Sequence, residues 1–462
     1  MENTIKKYTY LIILVSLFGG LTLFNSCNTA SVQDEPITEN GPDNGTGELS
    51  DDELLDIVQE ATFQYFWDGA EPNSGMARER YHMDGQDEDR NIVTAGGSGF
   101  GLKAIIVGAE RGFISREEAV ARFDQIVGFL EEADRFNGLY AHWMYGDSGD
   151  ARPFSPQDDG ADIVETAFLI QGLLTVKEYL KDGPEHEQEI AERIDTLWRE
   201  VDWNWHTKDG EENVLYWHWS PNHGWAMNHP VLGYDEALIV YILAAASPTH
   251  PIDAEVYHQG WARGGDIVKE DHEAYGYSLP LRHNGAEEYG GPLFWAHYSY
   301  LGLDPRNLVD QYADYWENNR NHTLIQYEYA IENPKGFEGY GEDLWGLTAS
   351  YSLDGYAAHR PHDVDYGVIT PTAALSSYPY TPEESMKVIR NLYENYYDET
   401  FGPYGFYDAL SIEHNWFPQR YLAIDQGPIV IMIENHRTGL LWDLFMQNED
   451  VRNGLDKLGF SY

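Results

Sequence analysis

DDGADIVETAFLIQGLL, residues 158–174, sets a run of carboxylates ahead of an unbroken apolar segment. Read as a helix, it puts Asp158, Asp162 and Glu165 at i, i+4 and i+7, on one face within two turns. Like charges at that spacing repel, and further along the same face holds Leu169 and Gly172. The stretch therefore reads as a buried helix with an acidic mouth. Acidic residues also favour the first turn of any helix, where they offset the macrodipole. That accounts for one or two carboxylates more readily than for three on one face.

Outward from this stretch, helical patterns of two kinds alternate. Segments 51–67, 115–134, 185–202, 253–271, 306–320 and 381–397 are amphipathic, with apolar residues at spacings of three and four and charge between. Segments 99–111, 160–178, 235–247, 292–302, 368–378 and 428–446 are apolar or small nearly all round, as buried helices are. One outer and one inner segment recur every ~60 residues, a repeat of pattern without sequence identity, and such units must stack to bury a core. The predicted fold is all-α: an (α/α)6 barrel of six inner and six outer helices, with an open α-solenoid as the competing architecture.

The links locate function. Inner-to-outer links are short, as in GFIS (112–115), KDGP (181–184), PTHP (248–251), GLDP (302–305) and PYTP (379–382). Outer-to-inner links run to about 25–45 residues, a length at which loops in compact domains are usually functional. They hold most of the Trp, Tyr, His, Asp and Gly, and all fall at one end, over the inner-helix starts. Within them, 213–221 and 275–283 are candidate short hairpin strands. Pro292, Pro371 and Pro428 stand at or near first turns, where Pro is favoured, and Pro428 would leave Asp425 just outside the last inner helix.

Three inner-helix starts thus bring Asp158, Asp162 and Glu165, then Asp235 and Glu236, then Asp425 to one end of the barrel. Glycoside hydrolysis needs two carboxyl groups, one protonated to release the leaving oxygen and one ionised to activate water or attack. Crowded carboxylates between aromatic walls supply the protonated one. Sugar rings stack on aromatic faces, so Trp143, Trp203, Trp205, Trp217, Trp219, Trp225, Tyr340, Trp345 and Trp416 suit a neutral polysaccharide, although each Trp alone also fits core packing. His218 joins the substrate-binding candidates, and Arg360 and Arg437 could fix carboxylate geometry.

GGSGFG (96–101) has no strand before it and no Lys-Ser/Thr after it, so it reads as close helix packing rather than a phosphate loop. His218, His223 and His229, with His359 and His362, match no metal-ligand spacing such as HExxH; no metal or cofactor is expected.

The chain starts MENTIKKYTYLIILVSLFGGLTLFNSC, a basic n-region and an apolar run ending at Cys27, its only cysteine. That pattern predicts a lipoprotein signal, residues 1–27, with Cys27 acylated, against the alternative of an ordinary secretory signal. Residues 28–49 are polar and rich in Pro, Gly and acid, a flexible tether. Residues 50–462 then form one catalytic domain. With 78 acidic and 29 basic residues, the net charge of −49 disfavours nucleic acid and anionic lipid, leaving the lipid anchor as the only membrane contact. An exported monomer at the periplasm or outer membrane of a Gram-negative bacterium is expected.

DDGADIVET (158–166), LGYDEALIVYILA (232–244), GFEGYGEDLWGLTAS (336–350) and AIDQGPIVIMIENHRTG (423–439) together resemble the bacterial glycoamylase-like domain and, within it, the inverting β-1,2-glucanases. The resemblance covers essentially everything after about residue 50. It implies an (α/α)6 barrel, no metal requirement, and hydrolysis of β-1,2-glucan either internally or by release of sophorose. It further implies Glu236 as general acid, Asp425 as base, and Asp158, Asp162 and Glu165 as acidic cleft residues. Another (α/α)6 glucan hydrolase, a transglycosylase, or a glycan-binding lipoprotein without catalysis stand as alternatives.

Overall fold

Apolar runs too uniform to show a polar stripe line the middle of the molecule, and charged amphipathic helices back them. The computed structural model describes residues 49–85 and 89–462, and Leu49–Tyr462 form a compact unit. The proposed signal, Cys27 and nearly all of the tether lie outside the described residues. The principal helices are α1 (Asp51–Trp67), α2 (Ala95–Arg111), α3 (Arg116–Glu132), α4 (Ile163–Leu180), α5 (Glu185–Glu200), α6 (Leu238–Ala246), α7 (Tyr315–Glu332), α8 (Pro371–Leu375), α9 (Pro382–Asn395), α10 (Ala423–Arg437), α11 (Leu440–Met446) and α12 (Glu449–Leu458). Helices α2, α4, α6, α8 and α10 are inner, and α1, α3, α5, α7 and α9 are outer, as the alternation predicts for an (α/α)6 barrel. The ring closes where α10 meets α2, with Gly427 against Phe100 and Gly97 against Ala423. Ser50 and Ser115 start α1 and α3 with capping boxes through Glu53 and Glu118. Gly112 ends α2 in the left-handed conformation, φ 76°.

Several expected helices come out differently. The 292–302 segment folds as two 3-10 turns, Leu293–Ala296 and Tyr298–Leu301. Its carbonyls bond to neighbouring side chains instead of to the next turn: Trp295 O accepts from Tyr234, Ala296 O from Tyr380, Ser299 O from Gln171, Tyr300 O from Trp442 and Leu301 O from Asn435. In 368–378 only Pro371–Leu375 is helical, since Thr372, Ser376 and Ser377 hydroxyls compete for backbone and one another. The 253–271 helix stops at Trp261, before Gly264 and Gly265 at φ 64° and 99°. The helix expected over 306–320 begins only at Tyr315, capped by Asp314. In its place Asp310 accepts from Tyr312 and Ala313 N–H and holds a turn. Helix α12, which the sequence reading lacks, covers α6 from outside, with Gly454 seated on Ile242 and Ala246.

The last inner helix starts at Ala423 rather than 428. Pro428 therefore lies inside it, and Asp425 belongs to its first turn.

Short strands in the long loops lead straight into inner helices. Ile92–Thr94 pairs with Trp143–Tyr145 and runs into α2; Ala161–Asp162 pairs with His218–Trp219 and runs into α4; Arg420–Leu422 pairs with Arg80–His82 and runs into α10. Of the two candidate hairpins, only that at Glu273–Ala274 and Tyr277–Ser278 forms; His218–Trp219 pairs instead with Ala161–Asp162, the strand ahead of α4. A further hairpin joins Ala349–Ser352 to Gly355–Ala358. These pairings fix the inner-helix starts relative to one another, and so set the geometry of the acidic end.

Candidate active site

A cavity of about 320 Å³ opens over the inner-helix starts. Three carboxylates, Glu79, Glu165 and Glu236, line it, with His142, Trp143, Phe154, Phe168, Trp217, Phe294, Tyr298 and Tyr356 as walls. The loops and helix starts that the sequence assigned to the functional end do converge, but the details differ.

Residues 158–162 are not helical. Asp162 is the N-cap of α4, its Oδ1 accepting from Val164 and Glu165 N–H at 3.0 Å each. The i, i+4, i+7 face is thus corrected: a strand and a cap bring Asp158, Asp162 and Glu165 together. The other Asp162 oxygen lies 3.1 Å from His142 Nδ1, and the strand register that sets Asp162 opposite His218 brings His218 Nε2 within 3.7 Å of it and 3.5 Å of Asp158. His142 Nε2 reaches Glu165 Oε1 at 3.7 Å. Glu165 Oε2 accepts from Gly96 N–H at 2.7 Å and from Thr94 Oγ1 at 3.2 Å. Gly96 must be glycine here, because a Cβ would stand 2.7 Å from that oxygen. GGSGFG is therefore close packing, as read, and it also delivers a donor to the site.

The partners decide the protonation states. Burial pushes Glu236 well above the usual carboxylate range, aided by Asp235, Glu165 and Asp162. No other residue's side chain or backbone, among the described residues, hydrogen-bonds its carboxyl. Burial and Asp162 push Asp158 up to about 7. Burial acts on Asp162 too, yet the hydrogen bond from His142, with His218 beside it, holds it below its ordinary value. Burial also opposes the charge on His142, but Glu165, Asp162 and Asp158 outweigh it and push the imidazole up to about 9. Asp235, pushed up to about 7 by burial, accepts from Ala237 N–H at 2.9 Å and from Asn284 at 3.0 Å.

Asp425 is 1 % exposed, and among the described residues neither carboxylate oxygen has a hydrogen-bond partner other than the neighbouring Asp408 carboxyl. It does not line the cavity; its neighbour Ile424 does. Burial and the adjacent Asp408 push it well above the carboxylate range, while burial brings Asp408, whose Oδ2 accepts from Tyr351 N–H at 2.7 Å, up to about 6.

Of the proposed sugar platforms, Trp217 lines the cavity, its ring packed against those of His218 and His229, which also lie beside each other. Trp219 and Trp225 pack on Trp205 behind it. Trp345 is corrected: it is fully buried and donates to Glu384 O, a core residue. Tyr340 binds Asp365 through its hydroxyl, and Trp416 packs on the cluster of Tyr351, Val368, Ala409 and Leu422. Arg360 forms a two-pronged pair with Asp363, and Arg437 pairs with Asp56; neither lines the cavity. His142, Asp158 and Asp162 bring ligand atoms within 4.8 Å of one another and could hold a divalent ion, but the hydrogen bond between His142 and Asp162 already engages two of those atoms. Sequence reasoning missed Glu79, Arg80, His142, Phe154, Tyr298, Tyr356 and Asp408; the loop stretches RERY and HWMY sit beside strands whose pairing no local pattern shows.

The family model described as "Putative glucoamylase" matches residues 228–449. The structure of an endo-β-1,2-glucanase from Chitinophaga pinensis, complexed with sophorotriose and glucose, is 60 % identical, covers 90 % of this chain and 99 % of its own, and superposes with a TM-score of 0.88. The chain belongs to the glycoamylase-like β-1,2-glucanase family. The exo β-1,2-glucooligosaccharide sophorohydrolase (non-reducing end) of Parabacteroides distasonis is 45 % identical over 424 residues, 89 % of this chain. The chain spans 58 % of that relative's length. A β-1,2-glucanase structure from the same organism is 44 % identical, covers 89 % of this chain and 60 % of its own, and has a TM-score of 0.84.

The charge layout of this glycoamylase-like domain makes a testable stability statement. His142, raised from 6.5 to about 9, contributes stability that is complete below about 6.5 and is lost as pH rises through about 9. Asp158 and Asp235, raised from 3.8 to about 7, act in the same direction at lower pH, because the native state again holds more protons than the unfolded chain. Melting temperature is therefore expected to fall from pH 7 to 9, and His142→Gln should flatten that fall while costing about 1–3 kcal/mol near neutrality. An unchanged slope in scanning calorimetry of the variant would remove His142 from this role.

Proposed function

We propose that the chain hydrolyses β-1,2-glucosidic linkages in β-1,2-glucan or sophorooligosaccharides with inversion, Glu236 serving as general acid and the Asp425–Asp408 pair as base. The observation that carries the acid is the contrast among the three cavity carboxylates. Glu79 is chelated by Arg80, and Glu165 is held by Gly96, Thr94 and His142. Among the described residues, Glu236 alone of the three is hydrogen-bonded by no other residue, and burial pushes it toward the protonated form. It can therefore keep a proton near neutrality and release it to a leaving oxygen. Asp425 and Asp408 press on each other as two buried carboxyls do when they share a proton, so the pair titrates as a unit and offers one negative charge.

The substrate class comes from the endo-β-1,2-glucanase and sophorohydrolase likeness, and it agrees with a neutral ligand for a chain of net charge −49. Inversion requires the water and the leaving group on opposite faces of the ring. The first product seen by time-resolved NMR is thus expected to be the α-anomer, and a first-formed β-anomer would reject the arrangement. Chromatography of products from β-1,2-glucan and from defined sophorooligosaccharides tests the substrate and separates internal cleavage from stepwise sophorose release. Trp217→Ala should raise KM several-fold by removing a stacking wall worth about 1 kcal/mol. Export and acylation at Cys27 belong to the same proposal; Cys27→Ala should abolish incorporation of labelled fatty acid.

A further inference from the structure

Among the charged side chains of the cavity wall, His142 is tied to Asp162 and Glu165, and Glu236 is the proposed acid; Glu79 and Arg80 are left without a task. Arg80 donates from Nε and Nη2 to the two oxygens of Glu79, the second bond at 2.9 Å, and among the described residues its Nη1 has no partner. Adjacent residues of a regular strand point to opposite faces. Glu79 instead lies in a bend, between the bridge Arg78–Val93 and the strand Arg80–His82. Its backbone is fastened on both sides, the N–H donating to Ile92 O and the carbonyl accepting from Ala423 N–H, each at 3.1 Å. The bend lets two neighbouring side chains meet at the cavity. An ion pair between chain neighbours ties no two elements together, so it does little for the fold. The side chains of Arg80 and Glu79 stay 36 % and 15 % exposed, open to a ligand.

We propose that this pair recognises the vicinal 3- and 4-hydroxyls of one glucosyl unit, one hydroxyl donating to a Glu79 oxygen and its neighbour accepting from Arg80 Nη1. This rests on the reading of the substrate as β-1,2-glucan. In such a chain O1 and O2 are taken by linkages, so the 3,4-diol is the one adjacent pair of free hydroxyls on an internal unit. A hydroxyl is donor and acceptor at once, whereas a carboxylate only accepts and a guanidinium only donates. Side by side, the two groups match neighbouring hydroxyls in one orientation. Opposite charges cancel within the pair, so it offers an anionic sugar no net attraction, while its bonds to hydroxyls are charge-assisted. Trp143, Phe154 and Trp217 offer faces on which a sugar ring can stack, but an aromatic face does not tell a hydroxyl from a hydrogen. The pair thus supplies a preference for the gluco over the galacto configuration, because an axial 4-hydroxyl leaves the plane in which both bonds form.

The test measures kcat/KM of the wild type, of Arg80→Lys and of the double variant Glu79→Gln/Arg80→Met. The substrates are sophorooligosaccharides and analogues in which a single glucosyl unit, moved along the chain one position at a time, is 3-deoxy or 4-deoxy. At one position either deletion is expected to cost the wild type about 10- to 100-fold. The double variant should lose about as much on the parent sugar, and then no more than about threefold on that analogue, because the partners of the missing hydroxyl are already gone. Its melting temperature should stay near that of wild type. Arg80→Lys keeps the charge but loses the planar fork; it should weaken the same discrimination, and it carries the comparison if the double variant does not fold. Losses that simply multiply, each the same with or without the other, overturn the proposal and leave β-1,2-glucan hydrolysis in place. So does a double variant within about threefold of wild type on the parent sugar. A wild type that turns over no sophorooligosaccharide but cleaves another glucan would remove the substrate reading, and the diol assignment with it.

Discussion

Glu236→Gln is expected to lower kcat on β-1,2-glucan by about 10²- to 10⁴-fold, with sophorose still bound and the melting temperature near that of wild type. Glutamine matches glutamate in shape but has no proton to give, so the change removes one chemical act rather than a piece of packing. The fold should tolerate it, since no described partner is left without its bond when the carboxyl becomes an amide. Burial disfavours the charged form of Glu236, and Asp235, Glu165 and Asp162 add to that; an amide is neutral and escapes the penalty. A substrate with a good leaving group should recover much of the lost rate, because it asks for no proton. If the variant turned over every linkage-defined glucan within about tenfold of wild type, the acid would have to be sought at Asp158, pushed up to about 7 beside the cavity wall.

What the sequence showed and what it hid follow from the range of the interactions involved. Periodicity is local, so the amphipathic helices α1, α3, α5 and α9 and the buried α2 and α4 stand close to the segments read from it. Convergence of Glu165 and Glu236 was legible as well, because short links must lie at the end of a double ring opposite the long ones. The phase of residues 158–162 was not: acidic residues at i and i+4 look the same whether they lie on a helix or whether the second of them caps it, and only pairing with His218–Trp219 distinguishes the two. Trp345 and Trp217 carry the same side chain in loops of similar composition; one is sealed under Glu384 and the other faces the cavity. Tyr298 was read as part of a helix, whereas its segment spends its carbonyls on Tyr234, Tyr380, Gln171 and Trp442, partners scattered along the chain. Long-range partners of this kind leave no trace in a window of ten residues.

Gly172→Ala, and equally Gly99→Ala, should destabilise the domain by about 3 kcal/mol or more, at the upper end of what an added methyl costs in a packed core. A Cβ on Gly99 would stand 2.1 Å from the carbonyl oxygen of Phe168, and one on Gly172 would stand 2.2 Å from the carbonyl oxygen of Gly99. Both obstacles are backbone, so no rotamer change relieves them and α2 must part from α4. Parting the helices would also pull on the site, because α2 carries Gly96 and α4 carries Glu165, whose 2.7 Å hydrogen bond spans the same seam near the cavity. Activity per folded molecule is therefore expected to fall together with stability. Gly112→Ala supplies the contrast: its φ of 76° strains any side chain, but nothing lies within 4 Å of the added carbon, so about 1 kcal/mol should be lost with kcat unchanged. Urea unfolding and initial rates on the three variants separate the cases. A Gly172→Ala protein as stable and as active as Gly112→Ala would mean that the two inner helices can slide apart without cost, and the seam would no longer explain why the acidic end is held in register.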